Sequence, residues 1–190
     1  APPAPRAPEV SRRSERYNRE QSMQVHDLLL ASADRAPEKP YLRHGSESAG
    51  FEDVAQKSRA LAGLICAEAG LPKGTHVALL SPNSTDAVAA FFGILEAGCV
   101  AVSIAGDLTG EQLLRVLNHS ECAAVVADAR LFRRIRSAFA AAPAVRTVIT
   151  VGDTQRTPGA AAGAGPEVSF EGFRVLSLAA WENDGLARNT

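Results

Sequence analysis

The chain has 190 residues, of which 46% are hydrophobic and 22% charged, and its formal net charge is −1. That length allows one domain, or two small ones, with an apolar core, and the balanced charge gives no reason to expect nucleic acid or an acidic membrane surface as a partner. No apolar run approaches the roughly 18 residues that a membrane-spanning helix needs, and no hydrophobic stretch follows the Pro- and Arg-rich start as it would in a secretory signal. We therefore expect a cytoplasmic location, and the missing initial methionine predicts a cut or processed end.

The first part of the chain is predicted to be a tail followed by two helices. Residues 1–24 are rich in Pro, Arg, Ser and Glu, which predicts a disordered tail because such a segment buries too little apolar surface. Residues 25–35 form a short predicted helix, and residues 41–44 begin a strand. Residues 51–69 form a longer helix that Gly70 ends. The predicted apolar side of the first helix consists of Val25, Leu28, Leu29 and Ala33; that of the second consists of Phe51, Val54, Ala55, Leu61, Ala62 and Ile65.

The stretch from His76 to Asp128 organises the chain, because short apolar runs alternate there with helix-like segments. Strands that are separated by helices of this length form parallel βαβ units. The sequence therefore predicts an α/β fold, with a mostly parallel sheet flanked by helices. The predicted strands are residues 76–80, 99–105 and 122–127, and the predicted helices are residues 84–97, apolar on almost every side, and 109–118.

Helix-end signals support these segments. Asn83 and Asp86 have the spacing of a capping box, and so do Thr109 and Gln112. Gly98 follows the last apolar turn of its helix, as a C-terminal glycine does.

The last third of the chain continues the alternation of predicted helices and strands. A helix is predicted over residues 129–141 and a strand over 145–151, so that residues 25–151 form one α/β subdomain. Residues 152–166 are a Gly/Ala/Pro-rich segment that predicts a flexible insertion, and residues 167–190 are predicted to be the truncated start of a further element. In the helix of residues 129–141, Leu131, Phe132, Ile135 and Phe139 are predicted to face inward and Arg130, Arg133, Arg134 and Arg136 outward.

The sequence contains no motif that carries out a reaction by itself, such as a P-loop, a nucleophile elbow or a zinc-protease helix. His26, His44, His76 and His119 lack metal-ligand spacing, so neither a metal site nor catalytic residues are predicted. Cys66, Cys99 and Cys122 lie in apolar segments without Cys-x-x-Cys spacing, which predicts buried, reduced thiols. The arginines of residues 130–136 fit either a phosphate clamp or a solvated helix face.

Several local motifs, in this order, resemble the N-terminal part of adenylate-forming enzymes, the superfamily of acyl-CoA synthetases, aryl-CoA ligases, luciferases and peptide-synthetase adenylation domains. The resemblance covers about residues 25–151. Its motifs are Val25-His26-Asp27-Leu28-Leu29, Phe51-Glu52-Asp53-Val54 with Arg59-Ala60-Leu61-Ala62, Gly70-Leu71-Pro72-Lys73-Gly74-Thr75-His76-Val77-Ala78-Leu79-Leu80, and Phe92-Gly93-Ile94-Leu95-Glu96-Ala97-Gly98.

Two further motifs bear on which branch of the superfamily the chain resembles. Pro82-Asn83-Ser84 favours the CoA ligases over the amino-acid-activating domains. Ser103-Ile104-Ala105-Gly106 departs from the family's usual Pro-Leu-Asn/Asp-Pro and leaves the substrate class open.

The resemblance implies that the chain is the first subdomain of a ligase that joins a carboxylate to AMP and then passes the acyl group to CoA or a carrier thiol. The parent would use ATP, Mg²⁺ and CoA, but the family's phosphate loop and catalytic lysine lie downstream, so the chain alone is expected to be inactive and to bind none of these as its own cofactor. Arginines near Arg130, Arg133 and Arg134 contact the 3′-phosphate of CoA in some relatives. The expected partner is the remainder of the ligase, or a second copy through self-association.

Three other interpretations stay open at this stage. The chain could be a non-catalytic interaction or regulatory module that a partner chain completes. It could be part of a peptide-synthetase adenylation domain. It could also be an unrelated, flavodoxin-like domain that binds a small molecule.

Overall fold

The computed structural model describes residues 23–139, 141–152, 167–170 and 172–182. The predictions made for residues 1–22 and 153–166 therefore lie outside the described residues. The helices are α1 (Val25–Arg35), α2 (Phe51–Leu64), α3 (Thr85–Glu96), α4 (Gly110–His119) and α5 (Ala129–Phe139), and α2 continues into a π-helical turn, Ile65–Ala69. The strands are β1 (Pro40–His44), β2 (Glu47–Gly50), β3 (His76–Leu80), β4 (Val100–Ile104), β5 (Ala124–Asp128), β6 (Thr147–Val151), β7 (Glu167–Phe170) and β8 (Phe173–Ser177).

The main sheet has the strand order β4-β3-β5-β6-β8-β7. The first five of these strands are parallel and β7 pairs antiparallel with β8, so the prediction of a mostly parallel α/β sheet is confirmed. Strand β3 is followed along the chain by β4 on one side and by β5 on the other. The direction in which the sheet grows thus reverses between β3 and β5, and in open α/β sheets this reversal opens a crevice at the carboxyl ends of the strands.

Helices cover both faces of the sheet. On one face, α4 and α5 bury Leu113, Leu117, Phe132 and Phe139. On the other face, α2 and α3 bury Leu61, Ile65 and Ile94. Because the central strands are covered on both sides, β5 and β6 are buried along almost their whole length, as expected for parallel strands.

The predicted inward side chains of α5 are all buried: Leu131, Phe132, Ile135 and Phe139. The small β1–β2 sheet and α1 form a third apolar cluster with α2 and α3, which includes Leu29, Val54 and Ala89. Strand β2, which is short and polar, was not predicted.

Most predicted helix ends are confirmed. Gly70 and Gly98 have φ of +62° and +76°, a left-handed conformation that glycine adopts without strain, and Thr109 and Gln112 form a reciprocal capping box. The prediction for α3 was wrong by one residue. Ser84, not Asn83, is the N-cap, because Ser84 has the extended backbone that a cap needs and its Oγ accepts a hydrogen bond from the Ala87 amide at 3.0 Å.

Three burial predictions were also wrong. Val25 and Leu28 are 56% and 55% exposed, because α1 turns only Leu29 and Ala33 fully into the core. Cys66 is exposed, whereas Cys99 and Cys122 are buried as predicted. Cys66 lies in the π-helical turn, where Ile65 is the residue that takes the buried position.

Candidate functional site

A cleft of about 1540 Å³ lies at the carboxyl edge of the sheet, where β3, β4 and β5 end. This is the edge and the position at which the strand order reverses. Three walls enclose the cleft: the turn of residues 81–84 after β3, the loop of residues 105–109 after β4, and the first turns of α5. The topology therefore places the cleft where α/β sheets of this kind bind ligands.

The β3–α3 wall combines polar atoms with an apolar floor. Ser81, Asn83 and Ser84 line the cleft at the turn, and Val88 and Phe91 line it from α3. The Ser84 side chain is already engaged by the Ala87 amide. Apolar surface with a few polar groups is the usual lining of a small-molecule site, because apolar contact supplies affinity and the polar groups fix orientation.

The α5 wall is held by Asp128, the last residue of β5. Its Oδ1 accepts hydrogen bonds from the amides of Arg130, at 2.9 Å, and of Leu131, at 3.0 Å. A carboxylate at a helix N-terminus satisfies amides that have no partner within the helix and interacts favourably with the helix dipole. Asp128 thereby fixes the direction in which α5 leaves the sheet, and with it the arginines on the first two turns.

The loop of residues 105–109 approaches α5 across the cleft. Arg134 Nη2 donates a hydrogen bond to the Gly106 carbonyl oxygen at 3.0 Å. A Cβ added at Gly106 would lie 3.3 Å from Leu131 Cδ2. The loop and the helix therefore lie close together, and the Arg134 hydrogen bond joins them.

The three arginines singled out in the sequence do not share one environment. Arg130 and Arg134 both line the cleft, because residues four apart lie on the same side of a helix. Arg133 is half-buried and does not line the cleft. The structure thus brings two of the three predicted phosphate-binding residues together at the candidate site.

Asp128 was not singled out in the sequence, and Ser103 was named only as part of a departure from the family's usual motif, although both line the cleft. A signal for Asp128 was present, since a polar residue directly after a buried strand stands at the carboxyl edge of a parallel sheet. Ser103 carried no such signal, because it lies within β4.

A second polar group lies close to the cleft. Lys57 Nζ is 2.5 Å from Asp86 Oδ1, at the start of α3. Burial raises the pKa of the nearby Glu182 carboxyl, Lys57 partly offsets this effect, and Asp86 adds to it. A Cβ added at Gly152 would lie within 3.7 Å of carboxylate oxygens of both Asp86 and Asp128, so these two acids flank the end of β6.

No group of three or more His, Cys, Asp or Glu side chains in the described part of the chain is arranged to hold a metal ion. The described helices also include none that is both long enough and apolar enough to cross a membrane.

The chain belongs to a known family: the family model described as "AMP-binding enzyme" matches residues 29–173. This match agrees with the α/β sheet, its topology and the position of the cleft.

Curated relatives are similar over part of the chain. The long-chain fatty acid transport protein 6 of Mus musculus is 29% identical over 119 residues, which are 63% of this chain and 19% of that protein. A long-chain-fatty-acid–CoA ligase of Salmonella typhimurium is 34% identical over 100 residues, or 53% of this chain and 18% of the ligase. A medium/long-chain-fatty-acid–CoA/3-oxocholest-4-en-26-oate–CoA ligase of Mycobacterium tuberculosis is 25% identical over 132 residues, or 70% of this chain and 24% of that protein. The chain thus spans about a fifth of the length of these relatives.

Solved structures share the fold. An anthranilate CoA ligase in complex with anthranoyl-AMP superposes with a TM-score of 0.63 at 21% identity, over 68% of this chain and 25% of that one. The coronafacic acid ligase of Pectobacterium brasiliense superposes with a TM-score of 0.66 at 14% identity, over 73% of this chain and 27% of that one.

Proposed function

We propose that this chain is the N-terminal subdomain of an ATP-dependent ligase that joins a carboxylate to AMP and then transfers the acyl group to CoA or a carrier thiol. The observation that carries the proposal is the cleft at the carboxyl edge of the sheet, lined by Arg130 and Arg134, within a region that matches the AMP-binding family. The ligase names of the relatives support a CoA-dependent reaction rather than a peptide-synthetase reaction. Since those names refer to fatty acids, a fatty acid is the first carboxylate to test.

Within this reaction, we assign the cleft to the nucleotide end of CoA. Guanidinium groups bind phosphate oxygens with two parallel hydrogen bonds, and such charge-assisted bonds are stronger than neutral ones. Arg130 supplies that chemistry in the cleft, which Arg134 also lines, and Val88 and Phe91 supply an apolar surface for the adenine ring. Arg133 is kept in the proposal only as a contributor to the local positive charge.

The remaining chemistry belongs to other parts of the proposed parent. When bound, ATP and Mg²⁺ would supply the activated phosphate and stabilise the charge that develops on it. The described residues of this chain hold no set of side chains suited to the metal ion, so no step of the reaction is assigned to it here. The role of this subdomain is to bind the acceptor's nucleotide and hold it in place.

Titration of the 190-residue chain with CoA tests the assignment. The sequence alone led us to expect no cofactor binding by the isolated chain, but the cleft lies within this chain, so we expect CoA binding, seen by calorimetry, and chemical-shift changes at the amides of residues 81–84, 105–109 and 128–134. Replacing Arg130, Arg133 and Arg134 together with Ala should abolish it. Arg115→Ala is the matched control, because Arg115 lies exposed on α4, pairs with Glu111 and is not part of the cleft. Absence of CoA binding, or shifts confined to another surface, would contradict the assignment.

A second candidate function rests on a different observation. Strand β4 is an edge strand of the sheet, and its Val100 side chain is 43% exposed. Such an edge favours pairing with another strand, so the chain could act as an interaction module that a partner chain completes. Mixing with the partner would then protect the β4 amides from hydrogen exchange, without any effect of CoA.

A further inference from the structure

The contact between Arg134 and Gly106 carries an inference beyond the assignment of the cleft, although it rests on the proposed function. We propose that Arg134 is a positioning residue: it holds the loop of residues 105–109 against α5 and so sets the width of the cleft, while the phosphate contact falls to Arg130. The sequence had assigned phosphate binding to Arg130, Arg133 and Arg134 together. This proposal gives the phosphate contact to Arg130 and the support of the loop to Arg134.

The loop has little backbone support, although the Leu108 side chain at its far end packs against the core cluster that includes Leu113 and Leu131. Outside the helices and strands, none of the backbone–backbone hydrogen bonds in the described ranges involves residues 105–108, and the next one along the chain joins the Leu113 amide to Thr109 at the start of α4. The pairing of β3 with β4 ends at Leu80 and Ile104. The loop therefore leaves the sheet without a backbone partner for four residues.

The composition of the loop leaves its backbone free to move. Ala105 and Gly106 do not restrict the backbone as proline would, and glycine loses more conformational freedom on ordering than any other residue. Because Leu108 is already packed against the core, it is residues 105–107 that would sample several positions over the cleft without a second tether. The Arg134 hydrogen bond to the Gly106 carbonyl oxygen, at 3.0 Å, is a tether between the loop and a helix that Asp128 fixes to the sheet.

Gly106 has no side chain at the point where the loop lies against α5. A Cβ there would lie 3.3 Å from Leu131 Cδ2, a separation tighter than ordinary van der Waals contact. A side chain at position 106 would therefore require the loop or the Leu131 methyl group to move by a few tenths of an ångström. Gly106 and Arg134 act together: the first allows the approach without that movement and the second holds it.

The difference between a tether and a phosphate ligand can be measured by comparing CoA with dephospho-CoA, which lacks the 3′-phosphate. If Arg134 is a tether, Arg134→Ala weakens both ligands by the same factor, about 3- to 10-fold for one lost hydrogen bond. The ratio of the two affinities then stays at its wild-type value. Arg130→Ala should instead lower that ratio, because it removes the phosphate contact itself.

The conservative variant gives an independent readout. Arg134→Lys keeps a single N–H donor for the Gly106 carbonyl and loses the bidentate fork, so it should restore most of the affinity for both ligands. Backbone order parameters of Gly106, Asp107 and Leu108, from 15N relaxation, should be lower in Arg134→Ala than in wild type or Arg134→Lys, because the untethered loop moves more. Arg115→Ala is again the control, since it removes an exposed arginine away from the cleft.

Each outcome decides between the alternatives. A ratio that falls in Arg134→Ala would show direct phosphate contact and overturn the proposal, and so would unchanged affinity with unchanged order parameters. If the wild-type chain binds neither ligand, the CoA assignment fails. The order-parameter comparison, which needs no ligand, still tests the tether: lower values in Arg134→Ala alone would support it, and equal values would overturn it.

Discussion

Gly93 of α3 lies so close to Ser58 of α2 that a Cβ on Gly93 would be 2.8 Å from the Ser58 carbonyl oxygen and 2.9 Å from Leu61 Cβ. No side chain fits at position 93 unless the two helices move apart. The same crossing includes a hydrogen bond from Ser58 Oγ to Glu96 Oε2 at 2.8 Å, and Ser58 is fully buried. The short distance between α2 and α3, which cover one face of the sheet, therefore depends at this crossing on the missing side chain of Gly93.

Gly93→Ala should lower the free energy of unfolding by about 1–3 kcal/mol, because overpacking a close helix crossing forces backbone shifts. Urea denaturation measures the loss. Gly63→Ala is the matched control: Gly63 is also helical, but no atom lies within 4 Å of its added Cβ. That variant should be neutral or more stable, by up to about 1 kcal/mol, because alanine is the better helix former. Equal effects of the two substitutions would contradict the packing argument.

The pKa of Glu182 predicts a pH dependence of stability. Burial raises this pKa, so the folded chain holds the carboxyl proton more tightly than the unfolded chain does. Glu182 therefore adds stability below its ordinary pKa, and that contribution is lost as pH rises through the raised value. Glu182→Gln, which stays neutral, should become more stable relative to wild type as pH rises from about 4 to about 8. Urea denaturation across this range measures the difference.

The control for this experiment is Glu111→Gln. The Glu111 side chain is 84% exposed in its pair with Arg115, and an exposed pair of this kind adds little to stability. A Glu182→Gln difference that does not grow with pH would contradict the sign derived from burial.

The cysteines should differ in reactivity. Burial raises the pKa of Cys99, an effect to which Cys66 adds, and burial also raises the pKa of Cys122. Since the thiolate is the nucleophile, both buried groups are poor targets and are also shielded from reagent. Iodoacetamide should label only the exposed Cys66 in the native chain, and all three thiols in urea, as mass spectrometry would show. Early native labelling at Cys122 would mean that the face covered by α4 and α5 opens readily.

The chain alone should associate through its apolar edge. Val100 on the edge strand β4 is 43% exposed, and β4 carries no charged side chain to discourage pairing. Light scattering should show dimers or larger species that grow with concentration, and the dye ANS should fluoresce on mixing. Val100→Lys should shift the population toward monomer. Leu28→Lys, an exposed position on α1, is the matched control for adding charge; association that is lost equally in both variants would place the interface elsewhere.

The 190-residue chain should not form acyl-adenylates, because it spans only about a fifth of the length of the ligases that it matches. Pyrophosphate exchange over a panel of fatty, aromatic and amino acids checks this. Exchange that reproducibly exceeds that of a heat-killed control would contradict the assignment of this chain as a subdomain without the ATP site.

The sequence determined the order and type of most elements, because local periodicity reports which residues are apolar on a strand or along a helix. The helix of residues 25–35 was predicted with the observed bounds, and Gly70 and Gly98 ended their helices as expected. The exposure of Val25 and Leu28 could not be predicted, since apolar spacing on α1 does not say how wide a neighbouring surface the helix meets.

The candidate site was harder to predict from the sequence than the helices and strands, because it depends more on tertiary structure. The sequence marked Arg130, Arg133 and Arg134 as a group, but only the packing of α5 against the sheet separates Arg133 from the two that line the cleft. Ser103 and the Gly106 carbonyl oxygen were invisible as site atoms, because their role comes from elements far apart in the chain. Helix and strand patterns involve residues that are close together in the chain, so they can be recognised from the sequence alone. The cleft exists because β4 and β5 lie on opposite sides of β3, and no local pattern encodes on which side of β3 a strand is placed.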